Sequence, residues 1–524
     1  MKKHKYIILI IGTFLIVFSL ILYFNIKKNS NKDFRTIKLH EETKKILESL
    51  DDKVYINIYL NGNLSPQCIK LQDSLTLLLN NFKSYTNKEI DWSLVEIDEV
   101  EVNKNGQIYS PLKDSDIYPI FIKDQEKYFK IYPYATVHYK EKMSLPIVLL
   151  PPSLSNSMGM RNDTINELSA NNLKEAVNDL EYQIIESIYL LKQKGKKKIA
   201  FLQGHLELDP VYTWDIRNTL KKYYDIEFFD LNTDGIHLAT NYTLKDANNQ
   251  IKQLAQYEVV IIANPQEPYD NMEKLVIDQY IMNGGKILFL LDGTSAHMDN
   301  FTDGSLSFIL NKNNLDLDTF LNNYGAQINY DLIQDQTCTK IPLRMPNKKQ
   351  VLVDWQYNPL LISNQDHIIS CYGDSILTSF ASSIEIIKPD KTTVLLSSSE
   401  KSNVLDEKEN VSLDIINYPP EKFEGEKIVG VLIEDEFNSN FLELTDTKEL
   451  KIKKKSSQNK MILISDGDII ANLYTPPNLH YILGYNPYNP WGHNILEGNT
   501  NFILNSIQYL CDDESLIKIL NKTK

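Results

Sequence analysis

The hydrophobic pattern begins with an unbroken run. From Tyr6 to Ile26 the chain reads "YIILIIGTFLIVFSLILYFNI", 21 residues without a charge. As a helix this run is long enough to cross a hydrocarbon layer of about 30 Å. The flanking "ILYFNIKK" offers no small-x-small cleavage site, so the reading is an uncleaved anchor rather than a secretory leader. Lysines stand on both sides, at 2, 3 and 5 and at 27, 28 and 32, and the expected orientation is amino terminus inside, body outside.

Beyond the anchor the periodicity changes from element to element. "RTIKLHEETKKILESL" and "IKLQDSLTLLLNNFKSY" repeat apolar residues at threes and fours, as amphipathic helices do, whereas "VYINIYL" alternates as a half-buried strand does. With "IDWSLVEID" as a second strand, this is a β-α-β unit with two parallel strands. "YPIFI", "YATVHYK" and "LPIVLLP" extend the pattern, the last two joined by the polar turn "KEKM". Residues 34–152 are therefore expected to form a small α/β domain of thioredoxin-like type. The loop "NGNLSPQC" lies where such a domain carries its redox pair, and it holds only Cys68.

A polar stretch over 153–172 reads as a linker, and the helix "LKEAVNDLEYQIIESIYLLKQK" is expected to open a second domain over 173–524. Strands and helices then alternate: "KKIAFLQGH", a helix near 213–223, "IEFFDL", "ANNQIKQLAQ", "YEVVIIANP", "NMEKLVIDQYIMNGG" and "KILFLLDG". The strands "VVIIA" and "ILFLL" are apolar throughout, the mark of strands covered on both faces. Gly284 and Gly285 end a helix before the next strand. The alternation predicts a doubly wound parallel sheet, to which "KMILISDGDII" adds one more buried strand. The fold class expected for the whole chain is α/β, with an anchor over 1–33.

Composition changes little in this picture. The 42% apolar and 24% charged content of the 524 residues is that of a multidomain globular protein. The net charge is −14 although the first 32 residues carry six lysines and no acid, which argues against nucleic acid as a partner. Cys68, Cys338, Cys371 and Cys511 are far apart with no CxxC pair, so neither a zinc ribbon nor a disulfide framework is indicated.

Candidate chemistry collects at strand ends, where open parallel sheets bind ligands. His205, Glu207 and Asp209 follow one strand, Asn264 a second, Asp292 a third, and Asp466 and Asp468 a fourth. They are candidates for a common polar rim, serving a ligand or an interface; each is also good turn chemistry where a strand must stop. The sequence has no GxxxxGK[ST], GxGxxG, HExxH or GxSxG, and no cofactor or metal is called for. Cys371, in "HIISCYGD", is the nearest approach to a nucleophile; "SILTSFASSIEII" after it reads as strands rather than the helix an elbow needs, and a buried cysteine is the preferred reading.

Several long strings resemble the family of the gliding-motility protein GldG: "ANNLKEAVNDLEYQ", "KKIAFLQGHLELD", "VIDQYIMNGGKILFLLDG", "LDLDTFLNNYGAQINYDLIQDQTCTKIPL", "DWQYNPLL", "FASSIEII" and "KMILISDGDIIANL". The likeness runs in order from about Phe34 to the carboxyl terminus. The resemblance implies a membrane-anchored, periplasmic accessory subunit of an ABC transporter, held at the inner membrane and partnered by a separate permease and ATPase. It also implies an auxiliary domain similar to the glutamine-amidotransferase-like α/β fold and a link to gliding and protein secretion. The family is often labelled a substrate-binding component, although no substrate follows. Its members are expected to end in a second apolar helix, whereas this chain closes with "CDDESLIKILNKTK", too short to span. Three functions stay open: the favoured one, a non-enzymatic, anchored transporter subunit; a solute- or cell-wall-binding module using the acidic rim with Trp355, Tyr357 or neighbouring aromatics as a stacking surface; and a degenerate hydrolase using Cys371 and a histidine.

Overall fold

A computed structural model describes residues 38–97, 117–124, 127–150, 164–166, 168–231, 244–301, 305–344, 349–371, 375–488 and 497–523. The expected anchor lies outside the described residues, as does most of the expected linker. Among the described residues no helix is long and apolar enough to cross a membrane. Two compact units divide between Lys192 and Gln193.

In the first unit, α1 (Glu41–Glu48) precedes β1 (Val54–Ile58), α2 (Pro66–Phe82) and β2 (Ile90–Leu94). The sequence pattern acts here as expected: β1 and β2 pair in parallel, Val54 beside Ile90. Ser65 caps α2 by accepting from the Cys68 amide at 3.3 Å, with Pro66 at the first turn; both are start signals for a helix. The face of α2 bearing Leu71, Leu75, Leu78 and Phe82 is buried. β3 (Ile120–Asp124) and β4 (Lys127–Ile131) form a hairpin, and β5 (Tyr134–Tyr139) runs antiparallel beside β1. β6 (Lys142–Met143) and β7 (Ile147–Val148) both pair with β5, and β8 (Thr164–Asn166) runs parallel to β3. The order β2-β1-β5-β6 is closed by α3 (Ala170–Lys192), which packs on α2 and β5. The helix expected to open the second domain at 173 thus belongs to the first, because its buried residues Leu180, Ile184 and Ile188 serve that unit's core.

The second unit is built on one ten-stranded sheet. Its chain runs β9 (Lys198–Gln203), α4 (Trp214–Leu220), β10 (Asp225–Asp230), α5 (Leu244–Leu254), β11 (Val259–Ala263), α6 (Asn271–Met282) and β12 (Lys286–Leu290). After α7 (Asp318–Tyr324) come the long strands β13 (Cys338–Arg344), β14 (Gln350–Ser363), β15 (Thr392–Ser397), β16 (Ile428–Asn438) and β17 (Lys455–Ile464), then α8 (Gly498–Leu510) and α9 (Glu514–Thr523). The main strand order is β10-β9-β11-β12-β17-β16-β15-β14-β13.

From β10 to β17 every pairing is parallel. From β17 to β13 every pairing is antiparallel. The expectation of a doubly wound parallel sheet is therefore corrected to a mixed sheet. The reason lies in the connections: parallel neighbours need a crossover, which the helices between β9 and β12 supply, whereas the later strands follow one another with no long helix between them. Helices cover both faces of the parallel half, α5 packing with α6 and α4 with α8, so β11 is buried along its whole length. One core gathers Ile262, Phe289, Tyr280 and Leu463. A second gathers Trp355, Tyr357 and Phe380.

Candidate functional site

The chain order first places β10 beside β9 and then brings β11 in on the other side. Such a switch opens a crevice at the carboxyl ends of the strands. The ends are flush, since Ala263 stands beside Leu290 and Leu290 beside Ile464. Asn264, Asp292 and Asp466 therefore leave the sheet at one edge, and the structure resolves the strand-end residues into two hydrogen-bonded groups.

The first group joins β11, β12 and β17. The Gly467 amide donates to Asp292 Oδ1 at 2.6 Å. Asp468 and Ser379 donate their amides to the two oxygens of Asp466 at 2.8 and 2.7 Å. Asn264 Nδ2 donates to Asp468 Oδ1 at 3.0 Å, and Gln266 Nε2 to Asn264 Oδ1 at 2.6 Å. Asn264 has φ of 52°, a left-handed conformation that asparagine tolerates. Burial and then the Asp468 charge raise the Asp292 carboxyl well above its ordinary range. Asp466, wholly buried, is raised by burial and then by Asp292 and Asp468. Burial also raises Asp468, against the pull of Asn264.

The second group follows β9. His205 is buried, with Nε2 at 3.0 Å from Glu273 Oε2 and its ring stacked on Tyr269 at 3.8 Å between centroids. Glu207 accepts the His205 amide at 2.8 Å and the Tyr269 hydroxyl at 3.2 Å, and burial raises its pKa. Glu273 also closes the capping box of α6, accepting the Asp270 amide at 2.7 Å. His205 thus ties the end of a strand to the start of a helix. The two groups meet at Gln266, whose amide donates to the His205 carbonyl at 2.8 Å. Asp209 is exposed and folds its own turn through the Val211 amide at 2.9 Å.

A cleft of about 830 Å³ opens over this edge, and of the strand-end candidates only Asp468 lines it. Its wall is aromatic: Tyr212, Tyr474, Tyr485 and Tyr488. Trp355 and Tyr357, expected as a stacking surface, are buried at 0% and 2% exposure and form core instead. The four tyrosines were not singled out from sequence; the signal was the density of aromatic residues in "YTPPNLHYILGYNPY" after β17. Cys371 is half-buried, its thiol raised by desolvation and directed to the Ile368 carbonyl at 3.5 Å. That is the opposite of the depressed pKa of an activated thiol. Gly373, beside it, lies outside the described residues. All four cysteines are free, and among the described residues no cluster of three or more His, Cys, Asp or Glu is placed to hold a metal ion.

This sheet, with its strand-end groups and cleft, falls within the stretch that matches a known family. The chain belongs to the family described as an ABC-type uncharacterized transport system, matched over residues 196–506. It is thus an auxiliary protein of ABC-type transport. Residues 36–138 match a family described only as a domain of unknown function. Among solved structures, the mmIFT52 N-terminal domain is similar at 13% identity, covering 60% of this chain and 97% of that one, with a TM-score of 0.33. No curated protein matches the chain.

Proposed function

We infer that this auxiliary protein is a non-enzymatic subunit of an ABC transporter, anchored in the inner membrane through residues 6–26, with its two units on the periplasmic side. It works beside a separate permease and ATPase, in a complex serving gliding motility and protein secretion. The observation that carries the reading is the family match over 196–506; the resemblance of "YGAQINYDLIQDQTC" and its companion strings to the GldG family supports the finer part. The first unit's order β2-β1-β5-β6 with α3 behind it supports a thioredoxin-like body, and its single, buried Cys68 supports a scaffold rather than a redox role. The fate of the strand-end groups argues in the same direction: both oxygens of Asp466 are taken by backbone amides, and His205 is spent on Glu273 and Tyr269. With no phosphate loop in the sequence, energy from ATP reaches the chain through contacts with its partners, which must bias it between at least two arrangements.

The test is purification of the full-length chain in mild detergent from its host, with partners identified by mass spectrometry. A permease and an ATPase in stoichiometric amounts are expected, and both should be lost when residues 6–26 are deleted. A chain that purifies alone at native expression, or retains both partners after that deletion, overturns the reading.

A further inference from the structure

The cleft over the carboxyl edge has features that neither transport coupling nor packing uses. Tyr212 and Tyr488 are 42% and 38% exposed, large for aromatic rings lining a concavity. Three of the four rings are held by other rings: Tyr212 meets Tyr474 edge to face at 6.4 Å, and Tyr485 stacks on Tyr481 at 4.8 Å. Such bracing fixes ring faces before a ligand arrives, so less conformational entropy is lost on binding. The Tyr474 hydroxyl is used by the Pro477 carbonyl at 2.7 Å. The hydroxyls of Tyr212, Tyr485 and Tyr488 have no protein partner among the described residues, and neither has Asp468 Oδ2.

Charge narrows the ligand. Among the described residues the basic side chains on the cleft are Lys340, paired with Asp354, and His297, whose Nδ1 accepts the Asp299 amide at 3.2 Å. A phosphate or carboxylate ligand would find no unpaired lysine or arginine there and would meet Asp468. A purely apolar ligand would cover three tyrosine hydroxyls and a carboxyl oxygen without pairing them, which disfavours its binding. Asp468 Oδ1 already accepts from Asn264 at 3.0 Å, which leaves Oδ2 as an acceptor for a ligand hydroxyl. What remains is a neutral ligand with flat apolar faces and many hydroxyls. We propose that the cleft walled by Tyr212, Tyr474, Tyr485 and Tyr488, with Asp468 at its floor, binds a neutral oligosaccharide segment, its sugar rings stacked on the tyrosines. A volume of about 830 Å³ lies within the usual range of ligand sites.

The proposal holds whichever complex the chain joins, and its test requires no partner. The full-length chain in detergent is titrated calorimetrically with cellopentaose, maltopentaose and triacetylchitotriose, and in parallel with choline and spermidine. At least one oligosaccharide is expected to bind, and Tyr212→Leu and Tyr488→Leu should each weaken it by about tenfold, the order seen for stacked anchor residues. Both positions are partly exposed, and circular dichroism checks that the variants stay folded. Binding of choline or spermidine alone would make the site a cation cage and overturn the proposal. So would the absence of any oligosaccharide binding, or binding that both substitutions leave unchanged.

Discussion

The Gly467 amide and the Asp292 carboxylate, 175 residues apart in sequence, meet at 2.6 Å where β17 and β12 leave the sheet. The contact requires glycine on one side. A Cβ at 467 would fall 2.4 Å from Asn264 Cγ, and Asn264 cannot easily withdraw while bonded to Asp468 and Gln266. Gly467→Ala is therefore expected to destabilise the second unit by about 1–3 kcal/mol, the usual result of overpacking. Chemical denaturation measures it; an unchanged midpoint would show that Asn264 yields freely.

Burial of the same carboxyl makes stability depend on pH, against the opposing pull of the Gly467 amide. Asp292 has a folded pKa above its ordinary value, through burial and then Asp468, and Asp466 is raised as well. A carboxyl raised by folding binds its proton more tightly in the native state. Its contribution is greatest below the unfolded pKa, near 4, and declines as pH rises through the folded value. Asp292→Asn keeps an oxygen for Gly467 and removes the charge. Relative to the parent, the variant should gain thermal stability at about pH 8 and show little gain at about pH 4. A parallel pH profile in the two proteins would mean that Asp292 does not titrate within this group.

Much of this edge was legible in the sequence, for a physical reason. Strands covered on both faces are apolar throughout, so "VVIIA" and "ILFLL" announce themselves, and the first polar residue after each marks the sheet edge. Asn264, Asp292 and Asp466 followed from that. What sequence alone did not give was the exposure of each group. His205 and Asp468 look alike in the chain, yet one is buried under Tyr269 and the other lines the cleft. Trp355 and Tyr357 were misjudged similarly: spaced by two on a strand, they share a face, and that face turned out to be core. The antiparallel half of the sheet was obscure because its pairings join strands separated by irregular connections. The allegiance of α3 was obscure because a helix between two domains has an apolar face that fits either.

His205 is assigned to structure, and that assignment has a measurable consequence. Its removal takes the Nε2 contact from buried Glu273 and the ring stacked on Tyr269, while Glu207 keeps the backbone amide of residue 205 and the Tyr269 hydroxyl. His205→Ala should lower stability by about 2–4 kcal/mol, combining lost packing with the lost hydrogen bond to Glu273. Glu273→Ala should cost about 1–2 kcal/mol through loss of the capping box and of the His205 partner. Because the two residues touch, their effects should be less than additive in a double-mutant cycle. In cells, function should then follow protein abundance for each variant. A His205→Ala protein of normal stability and abundance that fails in transport would point instead to a direct role at the site.

The cysteines test both units without disrupting either. Cys68 and Cys511 are fully buried, whereas Cys338 and Cys371 are half-buried. Burial pushes the Cys338 and Cys511 thiols up to about 12 and raises Cys371 less far. Reaction with a disulfide reagent needs both access and thiolate, so Cys371 should be modified first and Cys338 next. Cys68 should react only when α2 opens, because it lies within the first turn that Ser65 caps. Ser65→Ala removes that cap and is expected to destabilise the helix by about 1 kcal/mol, accelerating Cys68 modification about fivefold if local opening limits the rate. Cys511, in the other unit, should keep its parental rate. Mass spectrometry of peptides from timed labelling reads all four sites at once. Equal acceleration of Cys68 and Cys511 by Ser65→Ala would show that the two units open together rather than separately.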